Sequence, residues 1–173
     1  VDRLAVLNAP HPSAYERALR SNPAQLARSW YVGFFQLPGL PEWSLGAMDF
    51  EALERMLGDG TVRDDAFTAT DIERYKRALG QPGALTATVN YYRAIARRNA
   101  KLTLTQGGVG NRPVTASTLL LWGVQDDALS LALTQDLDEW VPDCRVERLP
   151  AASHWVQFDA PKQVSDLLLS HLS

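Results

Sequence analysis

The 173-residue sequence predicts an α/β fold in which the end of a parallel sheet is interrupted by an all-helical insert. Three observations predict it. Two apolar runs, "RLAVL" near the start and "STLLLW" at 117–122, have the length of buried strands, and the second has the continuity expected of one covered on both faces. Between them the hydrophobic pattern is helical throughout. After the second run, strand, helix, strand and helix follow at the spacing of parallel crossover units. The expected organisation is a core strand over 1–12, a helical domain over 13–108 and a return to the α/β core over 109–173.

The first strand is "RLAVLNAP", ended by Pro10 and Pro12. "SAYERALRS" reads as a first helix. "NPAQLARSWYVGFF" reads as a second, with Asn22 as its cap and Pro23 in the first helical position, where a missing N–H costs nothing. "LPGLPEW" should break the chain. A short helix, "DFEALERML", is expected from Asp49 until "GDG" stops it. "TDIE", Thr70 to Glu73, has capping-box spacing and should open "IERYKRAL". Gly80, Pro82 and Gly83 separate that helix from the amphipathic "ALTATVNYYRAIARRN". The period changes back from "GGVGNRP" onward. Strand "ASTLLLWG", helix "LSLALTQDLDEWV", strand "CRVERLP" and helix "PKQVSDLLLSHL" complete the chain.

Composition narrows the function classes. Seventeen basic and 20 acidic residues are interspersed for a net charge of −3, so there is no basic field to attract nucleic acid. No apolar run approaches the ~18–20 residues that a membrane span requires. The one cysteine, Cys144, excludes an internal disulfide and multi-cysteine zinc patterns, and is expected to be a small buried hydrophobe in a reducing, cytoplasmic compartment. The first residue is Val1, and the strand beginning almost at once suggests that something precedes it.

Only three histidines occur: His11, His154 and His171. His154 lies in "LPAASHWVQFDAP", a polar break between a strand and a helix, where functional groups of α/β sheets gather. The preceding strand ends in "WGVQDDALS", so Asp126 and Asp127 leave the sheet just past Gly123. Adjacent parallel strands would bring the two loops together. An aspartate accepting a bond from one imidazole nitrogen makes the other nitrogen a general base. Each residue also has a plainer reading, Asp126 as a turn or helix cap and His154 as a satisfied loop residue. Asp127 reads as a capping or solvated residue. Asn8 and His11 are expected to position the backbone at the sheet-to-helix turn.

Taken together, these segments resemble the α/β-hydrolase-fold epoxide hydrolases along essentially the whole chain. "VLNAPHP" resembles the passage from sheet to helical cap, "WGVQD" the strand end bearing the triad acid, and "SHWVQFDAP" the histidine loop. "WYVGFFQLPG" and "NYYRA" are similar to the two cap motifs that carry tyrosines, here Tyr31 and Tyr92. The resemblance implies a two-step reaction on a small-molecule epoxide that needs no cofactor or metal. A nucleophilic aspartate opens the epoxide to a glycol ester while Tyr31 and Tyr92 donate hydrogen bonds to the oxygen. His154, oriented by Asp126, then activates water to hydrolyse the ester. Phenols suit the donor role because, with a reference pKa of about 10, they remain protonated at neutral pH yet are far more acidic than an alcohol. Trp30, Phe35 and Trp155 are expected to line the pocket. Tyr31, with Phe34 and Phe35 three and four positions on, also fits an aromatic core stripe. Tyr91 and Tyr92, roughly 100° apart on a helix, cannot face one cavity.

The nucleophile itself is not among these residues. No Gly-x-Asp-x-Gly or Gly-x-Ser-x-Gly elbow occurs, and the only His-Pro pair, His11–Pro12, lies at the cap entry rather than in an oxyanion loop. The resemblance therefore implies a partner, the nucleophile-bearing N-terminal half, either in the same longer chain or as a second polypeptide, with these residues inactive alone. Rival readings are a dehalogenase, which would use tryptophan N–H donors such as Trp30, a serine esterase on the same scaffold, and a noncatalytic fragment.

Overall fold

A computed structural model of the chain describes residues 1–106 and 113–173. Strand β1 (Arg3–Leu7) leads into helices α1 (Pro12–Ser21), α2 (Pro23–Arg28), α3 (Trp30–Phe34), α4 (Leu40–Gly58), α5 (Ala69–Leu79) and α6 (Ala84–Gln106). Strand β2 (Ser117–Gly123), a 3₁₀ turn (Leu131–Thr134), strand β3 (Cys144–Leu149) and helices α7 (Val156–Asp159) and α8 (Pro161–Leu172) follow. The expected boundary at residue 108, within "GGVGNRP", lies outside the described residues.

The strands form a parallel sheet in the order β1-β2-β3, with Leu7 opposite Leu121 and Gly123 opposite Leu149. Alternation along β2 feeds two cores. Leu119 and Leu121 pack with Leu149, Ala152, Val156 and Val164 beneath α7 and α8. Leu120 and Trp122 pack on the other face with Ala14, Ala18, Leu133 and Trp140. A strand covered on both sides cannot alternate polar with apolar residues, which is why "LLLW" reads as one run. This register puts the three strand ends, at Asn8, Gly123 and Leu149, side by side.

Gly123 sets how closely the next loops approach. A Cβ there would lie 1.9 Å from the Ser153 carbonyl oxygen and 2.6 Å from that of Ala152, both backbone atoms. Gly123→Ala is therefore expected to cost about 3 kcal/mol or more in chemical denaturation, and to displace the loop that carries His154.

The structure differs from the sequence expectations in several places. The expected helix over 22–35 divides at Ser29, whose hydroxyl accepts a bond from the Tyr15 phenol (2.7 Å) and donates to the Gln25 carbonyl (2.9 Å). Leu40 to Trp43, expected within a break, already belong to α4, because Pro41 sits in the first turn, where its missing N–H is harmless. That helix instead kinks at 47–50, with Met48, Asp49 and Phe50 all at positive φ, close to the expected start at Asp49. The capping box forms at Thr68 and Asp71, two residues before the expected pair, since Thr68-x-x-Asp71 offers the same spacing and both reciprocal bonds. Helix α6 runs to Gln106, past the expected end at Asn99.

The largest difference lies after β2. "LSLALTQDLDEWV" forms only one 3₁₀ turn, with Asp136 at φ 49°. Leu129, Leu133, Leu137, Trp140 and Val141 are all buried, as the pattern requires, but Ser130 and Gln135 are extended on either side of the turn and interrupt the helix. The Ser130 N–H donates to Gln25 Oε1 (2.7 Å), and the Ala128 and Leu129 N–H groups donate to Asp126.

Candidate active site

Three loops meet at the carboxyl ends of the strands. Asp126, 4 % exposed, leaves β2 in a tight turn closed by its own Oδ1, which accepts from Ala128 N and Leu129 N, each at 2.8 Å. Its Oδ2 accepts from His154 Nδ1 (2.8 Å) and from Asn8 Nδ2 (2.6 Å). The capping role and the histidine-orienting role considered for Asp126 are thus filled at once, one by each oxygen. Burial pushes the Asp126 carboxyl upward in pKa. The bond from His154, its charge, the Asn8 amide and the Leu129 N–H outweigh burial and hold it below the usual carboxylate range.

A carboxylate can only accept, so the proton on the facing imidazole nitrogen is on Nδ1 and Nε2 carries the free lone pair. His154 is half-buried, with Trp155 edge-on at 5.3 Å between ring centres. A water molecule at Nε2 would meet a general base whose tautomer and orientation are set from behind.

Asn8 does more than turn the chain. Its Oδ1 accepts from Gly123 N (3.0 Å), which orients the amide so that Nδ2 faces Asp126. Its own φ of 41° lies in the left-handed region, which asparagine tolerates better than most residues. Gln25 is not singled out by the sequence pattern. It is fully buried, and it donates to the Ala128 carbonyl (3.1 Å) and to Ser29 Oγ (3.1 Å) while accepting from Ser130 N. Arg28 donates to the Asp126 carbonyl (3.0 Å). The helical insert is thereby fastened to the turn that holds Asp126. Asp127 is exposed.

The insert brings the two phenols together. The rings of Tyr31 and Tyr92 meet edge-to-face at 5.9 Å, and Phe35 lies against both, at 5.8 Å from Tyr31 and 4.9 Å from Tyr92. Tyr91 faces outward and is exposed, as the angle between neighbouring helix positions requires. Burial raises the Tyr31 pKa, and the nearby Tyr15, Tyr92 and Asp126 raise it further. Burial also raises Tyr92, with Tyr91 and Tyr15 adding to it. Both phenols therefore stay protonated through neutral pH and remain hydrogen-bond donors.

The aromatic residues expected to line a pocket separate. Phe35 joins the tyrosine cluster. Trp155 packs edge-on against Phe67 of the insert at 5.8 Å as well as against His154. Trp30 is 69 % exposed, and its ring neighbour is Phe34 rather than a phenol. A cavity of about 330 Å³ lies in the insert between α4 and α5, lined by Glu54, Phe67 and Ile72 among others, and none of the expected site residues borders it. Among the described residues no group of three or more His, Cys, Asp or Glu side chains is arranged to hold a metal ion, and no helix is long and apolar enough to cross a membrane.

No family model matches the chain. It is 34% identical over 174 residues to the AB hydrolase superfamily protein YfhM of Bacillus subtilis (strain 168), a match that takes in 99% of this chain and 57% of that protein. It is 36% identical over 182 residues to Epoxide hydrolase 3 of Xenopus tropicalis, covering 99% of this chain and 46% of the relative. The crystal structure of a Bacillus megaterium epoxide hydrolase in complex with an inhibitor superposes with a TM-score of 0.86 at 25% identity, over 99% of this chain and 61% of that one. The chain spans about half the length of the curated relatives it matches.

Proposed function

Because the chain belongs to the α/β-hydrolase-fold epoxide hydrolases, we propose that the protein carrying it converts small epoxides to vicinal diols through an aspartyl-ester intermediate. In this reading residues 13–108 are a cap over core segments 1–12 and 109–173. The attacking carboxylate comes from outside these residues, in the same longer chain or in a second polypeptide, and the 173 residues alone are inactive. The absence of a nucleophile-elbow motif and the length of the relatives support that part. The single free cysteine fits a cytoplasmic setting.

The observation that carries the proposal is the 2.8 Å bond between His154 Nδ1 and Asp126 Oδ2, which leaves Nε2 as a base. Attack of a carboxylate oxygen on an epoxide carbon breaks the C–O bond and leaves an alkoxide. Tyr31 and Tyr92 meet that charge where it develops, and one phenol proton passes to the oxygen. His154 Nε2 then takes a proton from water as the hydroxide attacks the ester carbonyl carbon. The intermediate collapses with a proton passing to the departing oxygen, so the diol leaves and the carboxylate is restored, and the imidazolium returns its proton to the tyrosinate through water.

This sequence of bonds has an isotopic signature. In a single turnover with excess intact enzyme in ¹⁸O-water, the first diol should contain no label, because its new oxygen comes from the carboxylate. The label should appear in the enzyme. A labelled first diol would mean direct attack by water and would end the ester mechanism.

Tyr31→Phe and Tyr92→Phe are each expected to slow ring opening about a hundredfold, and the double variant more than either, measured by rapid-quench single turnover. Unchanged rates would make the phenols part of the aromatic core only. A dehalogenase would lean on Trp30 instead, and its exposure weighs against that. An esterase is separated by the nucleophile, serine in place of aspartate.

A further inference from the structure

We propose that Asp159 is a positioning residue that couples the seating of the cap to the orientation of His154, an inference that rests on the cap and base roles given above. Asp159 is the last residue of α7 and is 6 % exposed. A place at the junction of α7 and α8 does not by itself account for a carboxylate this buried, because a buried charge needs donors. Its contacts do. Oδ1 accepts from two cap amides, Val62 N (2.9 Å) and Arg63 N (3.2 Å). Oδ2 accepts from Ser153 N (2.7 Å) and Ser153 Oγ (2.5 Å), on the residue immediately before His154.

One buried carboxylate thus holds the cap with one oxygen and the histidine loop with the other. Hydrogen bonds to an ionised group are among the stronger ones, so four donors converging on it make a stiff joint. Further contacts close around it. Ser153 Oγ also lies 2.5 Å from the Gly60 carbonyl oxygen, and a Cβ at Gly60 would come within 3.0 Å of the Trp155 indole nitrogen. Phe67 of the cap packs on Phe158 at 4.2 Å and on Trp155 at 5.8 Å. The cap segment from Gly60 to Phe67 is therefore docked on the loop from Ser153 to Asp159, with a polar centre and aromatic flanks. His154 lies between Ser153 and Trp155, so a displaced cap segment moves the imidazole against Asp126. A misplacement of about 1 Å at a reacting group can cost on the order of a hundredfold in rate.

Asp159→Asn tests this in the intact protein, because the amide keeps one acceptor and turns N–H donors toward the other pair of donors. Three results are expected together. The amide hydrogens of Val62, Arg63 and Ser153 exchange faster with solvent. The downfield proton resonance of His154 Nδ1–H, held by Asp126, shifts or broadens. Ester hydrolysis slows about tenfold or more. Faster amide exchange with an unchanged imidazole resonance and an unchanged hydrolysis rate would overturn the coupling and leave Asp159 a structural residue.

Should Asp159→Asn fail to fold, Ser153→Ala removes only the hydroxyl that donates to Asp159. It should move the same resonance in the same direction by less, and no movement overturns the proposal. If the wild-type enzyme forms no ester at all, the epoxide-hydrolase reading fails. The amide exchange and the imidazole resonance then decide the coupling by themselves.

Discussion

Replacing His154 with glutamine is expected to stop the intact enzyme after one event and to leave it heavier by one epoxide molecule. Glutamine can still donate an amide N–H to Asp126 Oδ2, so the loop keeps its principal anchor and the fold is retained. What disappears is the basic Nε2. Ring opening needs a carboxylate and the two phenols, none of which this substitution touches. Hydrolysis of the ester needs a base at the water, and its loss should slow that step by about 10⁴-fold. Intact mass spectrometry after mixing with a small epoxide reads the result directly. Turnover at the wild-type rate would remove His154 from the mechanism, and failure to form the adduct would place the defect before the ester.

Asp126→Asn is expected to cost as much in rate, and stability as well. Four donors converge on this carboxylate: His154 Nδ1, Asn8 Nδ2, Ala128 N and Leu129 N. An amide has one acceptor oxygen. If that oxygen stays with the two backbone N–H groups, its NH₂ faces the Asn8 amide and the imidazole. His154 must then carry its proton on Nε2, which is the wrong tautomer for a base. A loss of about 10⁴-fold follows, as for other triads whose acid becomes an amide. Each buried donor left without an acceptor adds about 1–3 kcal/mol of destabilisation, measurable by urea denaturation.

The pH dependence has a definite sign. Asp126 is held below the usual carboxylate range, so the folded protein keeps it ionised at pH values where the unfolded chain is already taking up a proton. The stability from its bonds is fully present above the ordinary carboxylate pKa and is lost as pH falls through the lowered value. The variant lacks this contribution at every pH. The gap in unfolding free energy between wild type and Asp126→Asn should accordingly close on acidification below that range. A gap constant with pH would mean that the ionised carboxylate does not supply the difference.

Much of the architecture was legible beforehand because burial leaves a periodic trace. "RLAVL", "STLLLW" and "CRVERL" read as neighbouring parallel strands, of which β2 is buried along nearly its whole length and β1 only partly. That placed Asp126 and His154 at adjacent strand ends, 28 residues apart, and the structure joins them at 2.8 Å. The separation of Tyr91 from Tyr92 followed from helical geometry alone. The same reasoning went astray at "LSLALTQDLDEWV", where the apolar positions were read correctly and the backbone was not. Periodicity records which side chains are buried, but it does not record where each N–H finds its acceptor. Gln25, 105 residues from Ser130 in the chain, accepts the Ser130 N–H, a pairing that no local pattern records.

The residues that hold the site in place share that origin. Asn8 reaches Asp126 across 118 positions, and Asp159 reaches Val62 across 97. In the sequence each is a polar residue in a loop, indistinguishable from a turn former. Strand order, burial of β2 and the nearness of Asp126 to His154 follow from local pattern and short crossovers. Which buried polar group satisfies which distant partner depends on how the helical insert lies against the sheet. A buried donor or acceptor must be paired at a cost of kilocalories if it is not, and only the folded chain brings the pairs within reach.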